Sequence, residues 1–203
     1  MWTDEYPKDV ALKNGRRVTI RVLENADFDR LLAFFKGLSD ADRLYLQHDV
    51  TDPELVRRWT TRLDFDQAVP LVAEDEGKIV AAGTLHRGPA GWMQHLGQIR
   101  LATSPSHRRL GLGSLLFREL LQLAEDRNFN KLYSNVIEND ERSVKFLQRL
   151  GFRMAGVLKD LVRDQAGRLR NLVVLTSDVA EAGRTLEDWI QDSMVSGSQA
   201  LEE

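Results

Sequence analysis

The decapeptide Pro105 to Ser114, PSHRRLGLGS, gathers in one place the groups that bind phosphate. Gly111 and Gly113 lack side chains, so the backbone can turn tightly there and bring its N–H groups close to a diphosphate. Arg108 and Arg109 add full positive charges. A helix beginning directly afterwards would aim its unpaired N–H groups and the positive end of its dipole at the same spot. The surrounding window, residues 77 to 118, holds six basic residues (Lys78, Arg87, Arg100, Arg108, Arg109 and Arg118) and no carboxylate, whereas the whole chain sums to -3. This combination is expected of a local anion site in an acidic protein, not of a nucleic-acid surface. Two phosphate motifs do not fit: a P-loop needs Gly-Lys-Ser/Thr where Gly113-Ser114-Leu115 stands, and a dinucleotide fingerprint needs a third glycine where Leu116 stands.

Other chemistries have less to work with. The absence of cysteine excludes a disulfide framework, a thiolate zinc site and a cysteine nucleophile. Histidines at 48, 86, 95 and 107 lack metal-ligand spacing, so no metal is expected. No Gly-x-Ser-x-Gly elbow supports a serine hydrolase.

The elements that must position the loop follow from periodicity. Arg16 to Leu23 alternates Val18, Ile20 and Val22 as a half-buried strand, and Ala26 to Leu38 carries apolar residues at helical spacing. Asp40 to Leu63 reads as two short helices, the second opened by Asp52-Pro53. Val69 to Ala73 and Lys78 to Leu85 form a hairpin, and Met93 to Thr103 a further strand stopped by Ser104-Pro105. Gly113 to Arg127 is an amphipathic helix with Arg118, Glu119, Gln122 and Glu125 on its polar side. A strand over Lys131 to Ile137, a helix over Asn139 to Leu150, and strands over Phe152 to Leu161 and Asn171 to Ser177 follow. Antiparallel hairpins succeeded by a β-α-β crossover predict an α/β (or α+β) domain, a mixed sheet with helices on both faces. The domain is expected over 1–178, with an amphipathic helix from Val179 to Met194 and a frayed tail completing 179–203.

With 203 residues, 42% of them hydrophobic, and a mean hydropathy of -0.35, the chain is expected to be one soluble domain. No apolar run approaches the ~20 residues of a spanning helix. The start MWTDEYPKDV lacks a secretory pattern, so a cytoplasmic location and no membrane partner are expected.

The sequence resembles the GCN5-related N-acetyltransferases. Arg108, Arg109-Leu110, Gly111, Leu112, Gly113, with Pro105 upstream, matches that family's acetyl-CoA motif, and NDERSVKFLQRLGF, Asn139 to Phe152, matches a second motif. The match runs from about Val18 to Thr176. NGRRVTIRVL, FDRLLAFFKGLS and HLGQIRLATSPSHRRLGLG look like bacterial members related to protein-lysine acetyltransferases. The resemblance implies a mostly antiparallel sheet with a β-α-β acetyl-CoA-binding core. It also implies a cofactor site in which Leu101 and Thr103 pair with the pantetheine through main-chain groups. Residues 108–114 (Arg108, Arg109, Leu110, Gly111, Leu112, Gly113 and Ser114) would hold the pyrophosphate. Asn139 and Ser143 would contact the pantetheine, although Asn139 is equally a helix-capping residue.

The resemblance breaks where protons must move. Related enzymes commonly carry a glutamate base where Gln98 stands and a tyrosine acid where Leu147 stands. Gln98 cannot accept a proton at neutral pH. Glu138 is the leading substitute base, with His95 and His48 as weaker candidates. Two other readings are open: catalysis by proximity with a self-deprotonating amine, and an acyl-CoA-binding sensor without chemistry. The implied acceptor is an amine-bearing small molecule or a protein lysine, and a homodimer is compatible with it. Acceptor identity is expected to lie in Leu38 to Pro70 and in the loop from His86 to Trp92. Asp40, Asp42, Asp49, Asp52, Asp64 and Asp66 lend the first segment an acidic character suited to a cationic acceptor, or simply a solvated surface.

Overall fold

A computed structural model describes residues 2–188. Eight strands form one sheet in the order β1-β2-β3-β4-β5-β6-β8-β7. The strands are β1 (Lys8–Ala11), β2 (Arg17–Val22), β3 (Ala68–Asp75), β4 (Lys78–Arg87), β5 (Leu96–Thr103), β6 (Lys131–Ile137), β7 (Arg153–Arg163) and β8 (Leu169–Asp178). Every neighbouring pair is antiparallel except β5 and β6. This is the mixed, mostly antiparallel sheet expected from the sequence.

Two apolar layers cover it. On one face α1 (Phe28–Lys36) and α3 (Pro53–Thr61) bury Leu31, Phe34, Phe35 and Val56 against Val72 and Ile79, with Ala82 and Ala102 beneath. On the other, α4 (Leu112–Asp126) buries Leu112, Leu116, Phe117 and Leu120 against Leu85, Ile99 and Leu132. Burying each such leucine fully contributes about 2 kcal/mol. The short α2 (Asp40–Arg43) and α5 (Glu141–Arg149) complete the layers. A helical segment over 179–188 sets Val179, Ala182 and Leu186 into the same core as α4. The remainder of the helix expected from 179 to 194, and the tail, lie outside the described residues.

Local chemistry explains the connections. Glu76 and Gly77 both adopt positive φ (49° and 77°), the backbone of a two-residue hairpin turn between β3 and β4. Asp52 caps α3 by accepting the Glu54 N–H at 2.9 Å, ahead of Pro53 at the first helical position.

Two expectations shift, and one strand is added. The strand expected from Met93 begins at Leu96, because residues 91–95 form a turn in which Trp92 is 96% exposed. β1 carries only four residues and no strong alternation, and it forms by pairing with β2. Glu119, placed on the polar side of α4, is only 4% exposed, because the N-terminal segment covers it and Lys8 Nζ meets its carboxylate at 2.8 Å.

Candidate active site

The sheet is open at its centre. β5 and β6 pair over only three positions, Leu96 with Lys131, Gly97 with Leu132 and Gln98 with Tyr133. The Ser134 hydroxyl then donates to the Ile99 carbonyl at 3.1 Å, and beyond that point the strands part. Residues 100–103 of β5 keep β4 on one side, residues 135–137 of β6 keep β8 on the other, and a V-shaped cleft separates them. Leu101 and Thr103 lie on the parted stretch of β5. The Thr103 carbonyl accepts Arg108 Nε at 3.3 Å.

The glycine loop forms one end of this cleft. Arg109 (φ 62°) and Gly111 (φ 85°) both turn left-handed, which wraps the backbone around to start α4 with Gly111 as its N-cap. The N–H groups of Ser114 and Leu115 return to the Gly111 carbonyl at 3.1 and 3.0 Å. Among the described residues, the N–H groups of residues 109–113 donate to no protein acceptor. The first turn of α4 contains no acidic residue. Leu110 accepts the Lys13 N–H through its carbonyl at 3.1 Å, and the Leu112 side chain is buried in the core. A Cβ on Gly113 would lie 3.4 Å from Phe146 of α5, an ordinary contact distance, so the loop and α5 face each other closely. Five donors at a helix N-terminus form an anion cradle.

The opposite wall is only partly as expected. The cap of α5 is Asp140, not Asn139: its carboxylate accepts the Ser143 N–H at 3.1 Å and the Ser143 hydroxyl as well. Ser143 is thereby committed to the helix start. Asn139 is exposed, and its side chain makes no hydrogen bond among the described residues. Glu138 is exposed just past β6, where its carboxylate accepts Asn171 Nδ2 of β8 at 2.6 Å. His95 lies in the turn before β5, at the end of the sheet away from the cleft, where its carbonyl accepts the Asn130 N–H at 3.0 Å. The loop from His86 to Trp92 leads to that same far end.

On the α1–α3 face at the apex of the cleft, register assembles a group with no signature along the chain. His86 of β4 is opposite Gln98, and Gln98 is opposite Tyr133. Arg100, two residues on, points to the same face. Its Nη2 donates to Gln98 Oε1 at 3.0 Å, and its Nη1 lies 3.4 Å from His48 Nε2. Arg100 forms no ion pair among the described residues, and its Nε is buried without a hydrogen-bond partner. Burial, then the charge of Arg100, pushes His86 down to about 4 and His48 below its ordinary value, so both are neutral at pH 7. Burial also raises Tyr133 and keeps its hydroxyl protonated. Leu147, at the position of the family's tyrosine, is 5% exposed and packs in the core.

The acidic residues of 40–66 have local work. Asp42 bridges Arg108 at 2.8 Å and Arg142 of α5 at 2.6 Å, tying α2 to both walls of the cleft. Burial opposes ionisation of Asp42, and the arginines and Ser39 outweigh it, holding the carboxyl well below the usual range. Asp40 pairs with Arg43, Asp49 accepts the Thr51 N–H and hydroxyl, and Asp64 accepts the Asp66 N–H. Trp59 packs between Phe35 and His48. Among the described residues no group of three or more His, Asp or Glu side chains could hold a metal ion, and no helix is long and apolar enough to cross a membrane.

The site is a parted β-α-β crossover with a glycine loop at one end. The Acetyltransferase (GNAT) family matches residues 32–152, and the chain belongs to that family. Phosphinothricin N-acetyltransferase of Streptomyces viridochromogenes is 31% identical over 116 residues, 54% of this chain and 61% of that protein, so the match spans about three-fifths of the relative's length. Among solved structures, the GNAT domain of S. lividans PAT superposes with a TM-score of 0.72 at 22% identity, covering 86% of this chain and 97% of that one. Mycobacterium smegmatis RimJ, solved in complex with CoA-disulfide, gives 0.73 at 15% identity, covering 90% and 93%.

Proposed function

We propose that the protein is an acetyl-CoA-dependent N-acetyltransferase that moves the acetyl group directly to a primary amine within a ternary complex. The observation that carries this reading is the set of N–H groups at 109–113, unpartnered beside parted strands. The diphosphate of acetyl-CoA would sit on that loop with Arg108 and Arg109 nearby. Its pantetheine amides would pair with the main chain at Leu101 and Thr103, and Asn139 would reach it from the other wall. The thioester would then lie near Gln98 and Arg100 at the apex.

The amine nitrogen attacks the thioester carbonyl carbon, the C–S bond breaks, the nitrogen loses a proton and the CoA thiolate gains one. Gln98 takes no part as a base, and Glu138 is turned toward Asn171. An ammonium next to the Arg100 guanidinium is disfavoured, so the acceptor enters as the free amine and positioning supplies most of the rate. Tyr133, the protonated hydroxyl beside Gln98, would return a proton to sulfur.

The acceptor is a small amine or a protein lysine. Phosphinothricin, named for the relative, is the first compound to try. The test is thiol release from acetyl-CoA on addition of amines, with mass spectrometry of the product. Tight acetyl-CoA binding without amine-dependent release would replace this reading with that of a binding module. The absence of cysteine suits a reducing, cytoplasmic setting.

A homodimer through β7 belongs to the same proposal. This eleven-residue strand is at the sheet edge, and its Val157, Leu158 and Leu161 are 44%, 46% and 58% exposed. Long apolar edges pair with other strands. Sedimentation of the wild type and of Leu161→Lys, expected as dimer and monomer, tests it.

A further inference from the structure

We infer that the acceptor amine also carries an oxyanion a few bonds from its nitrogen, and that Arg100 is the residue that binds it. The inference rests on the acetyl-transfer reading of the same cleft and names its substrate class.

Arg100 differs from most other semi-buried arginines of the fold, and from Arg87, which has no ion pair among the described residues but donates to the Asp66 carbonyl and stacks on Phe129. Arg21 meets Asp27 and Glu74, Arg108 meets Asp42, and Arg170 meets Asp164. Arg127, which shares an unpartnered Nε, donates to the Phe65 carbonyl at 2.7 Å and stacks on Trp2 far from the cleft. Among the described residues, the partners that Arg100 meets are neutral: Gln98, His48, His86 and Tyr133. A desolvated guanidinium without a counter-charge is costly, and a bound carboxylate, phosphinate or phosphonate relieves that cost with charge-assisted hydrogen bonds. The two imidazoles and the phenol are neutral hydrogen-bonding groups, so they add no competing anion.

Position sets the size of the ligand. Arg100 is the first residue of the parted stretch of β5, so an oxyanion on its guanidinium leaves the amine within a few bonds of the cleft apex. An open surface pocket of about 270 Å³ lies between the turn that joins β7 to β8 and His48, the neighbour of Arg100, and Arg100 itself does not line it. The carboxylates on its wall, Asp40 and Asp49, are engaged with Arg43 and with Thr51. A lysine side chain entering as the free amine would leave Arg100 without a counter-charge, and the remaining ammonium of a polyamine would be repelled by it.

The test uses the full chain with acetyl-CoA and a panel of amines: α-amino acids with their methyl esters, 2-aminoethylphosphonate, spermidine, and N-α-acetyl-lysine amide. The best acceptors are expected to bear an oxyanion, and esterification should lower kcat/KM by about 100-fold. The phosphonate arm separates carboxylate-specific from general oxyanion binding, and either preference upholds the inference. Arg100→Gln should collapse the acid-to-ester ratio to within about threefold, and Arg100→Lys should restore part of the ratio. Equal or better turnover of esters or spermidine overturns the inference and leaves acetyl transfer standing. If no amine releases thiol, the acetyl-transfer reading falls, and calorimetry on the CoA-loaded protein then decides the Arg100 site. Acid-selective binding lost in Arg100→Gln upholds it, and no acid-selective binding overturns it. Should Arg100→Gln fail to fold, the acid-to-ester comparison on the wild type stands alone.

Discussion

Replacing Ser114 by glutamate should strengthen α4 and abolish the cofactor site together. Ser114 is the third residue of α4, a helix whose first turn has no acidic residue and whose N-cap, Gly111, offers no side-chain cap. A carboxylate there meets the positive end of the helix dipole and stabilises it by about 0.3–1 kcal/mol. In a domain of this size that is a rise of roughly 1–3 °C in Tm. Helical side chains lean toward the N-terminus, so the same carboxylate is directed at the N–H groups of residues 109–113. A doubly charged diphosphate about 6 Å away, at an effective dielectric of about 40, is repelled by about 3 kcal/mol, roughly 100-fold in Kd. Calorimetric titration with acetyl-CoA and a melting curve of the free protein measure the two effects separately. A Kd within threefold of wild type would place the diphosphate elsewhere, and a Tm lowered by several degrees would contradict the assigned helix start. Gly111→Glu is the less discriminating variant, because φ of 85° at Gly111 strains any L side chain and mixes loss of stability with loss of binding.

Three further outcomes follow from side-chain environments. Leu147→Tyr, which restores the family's tyrosine in sequence, places a larger polar side chain where leucine is 5% exposed, so stability should fall by about 1–3 kcal/mol in urea titration with no gain in turnover. Glu138→Gln should leave kcat within about twofold, because that carboxylate is hydrogen-bonded to Asn171, and a loss beyond tenfold would make it the base. His86, at about 4 in the fold against an ordinary 6.5, binds fewer protons folded than unfolded between those values. Its contribution is therefore present above pH 6.5 and lost as pH falls toward 4, about 1–2 kcal/mol once its partial exposure is discounted. Chemical denaturation at pH 7 and pH 4.5 should show His86→Asn flattening that slope, and an unchanged slope would assign it to other groups.

The parts of the molecule legible in sequence are those with local signals. The Glu76-Gly77 turn, the Asp52-Pro53 helix start and the leucine periodicity of α4 each recur within a few residues, so strands and helices fell close to their places. The glycine loop was readable because a φ above zero constrains a single position, Gly111. The group around Arg100 was not, since His86, Gln98 and Tyr133 meet only through the register of three strands, and His48 arrives from the segment between α2 and α3. Within the acidic segment 40–66 the role of Asp42 was hidden for the same reason: its partners Arg108 and Arg142 lie 66 and 100 residues further on. Glu119 fitted the polar side of α4 until β1, too short to announce itself, brought Lys8 across it.

The brevity of the β5–β6 pairing has a mechanical meaning. With three rungs between them, β1 to β5 and β6 to β8 are two antiparallel half-sheets joined at a narrow seam and stapled by α4. Each half exposes a bare edge, yet the two edges face each other, and α2, fastened through Asp42 to both sides, bridges the opening. Such edges are withheld from intermolecular pairing, which free edges invite. An extended ligand entering the seam acts as the strand that is missing. Its arrival would protect the seam-facing amides among residues 100–103 and 135–137 from hydrogen exchange and turn two half-sheets into one continuous sheet.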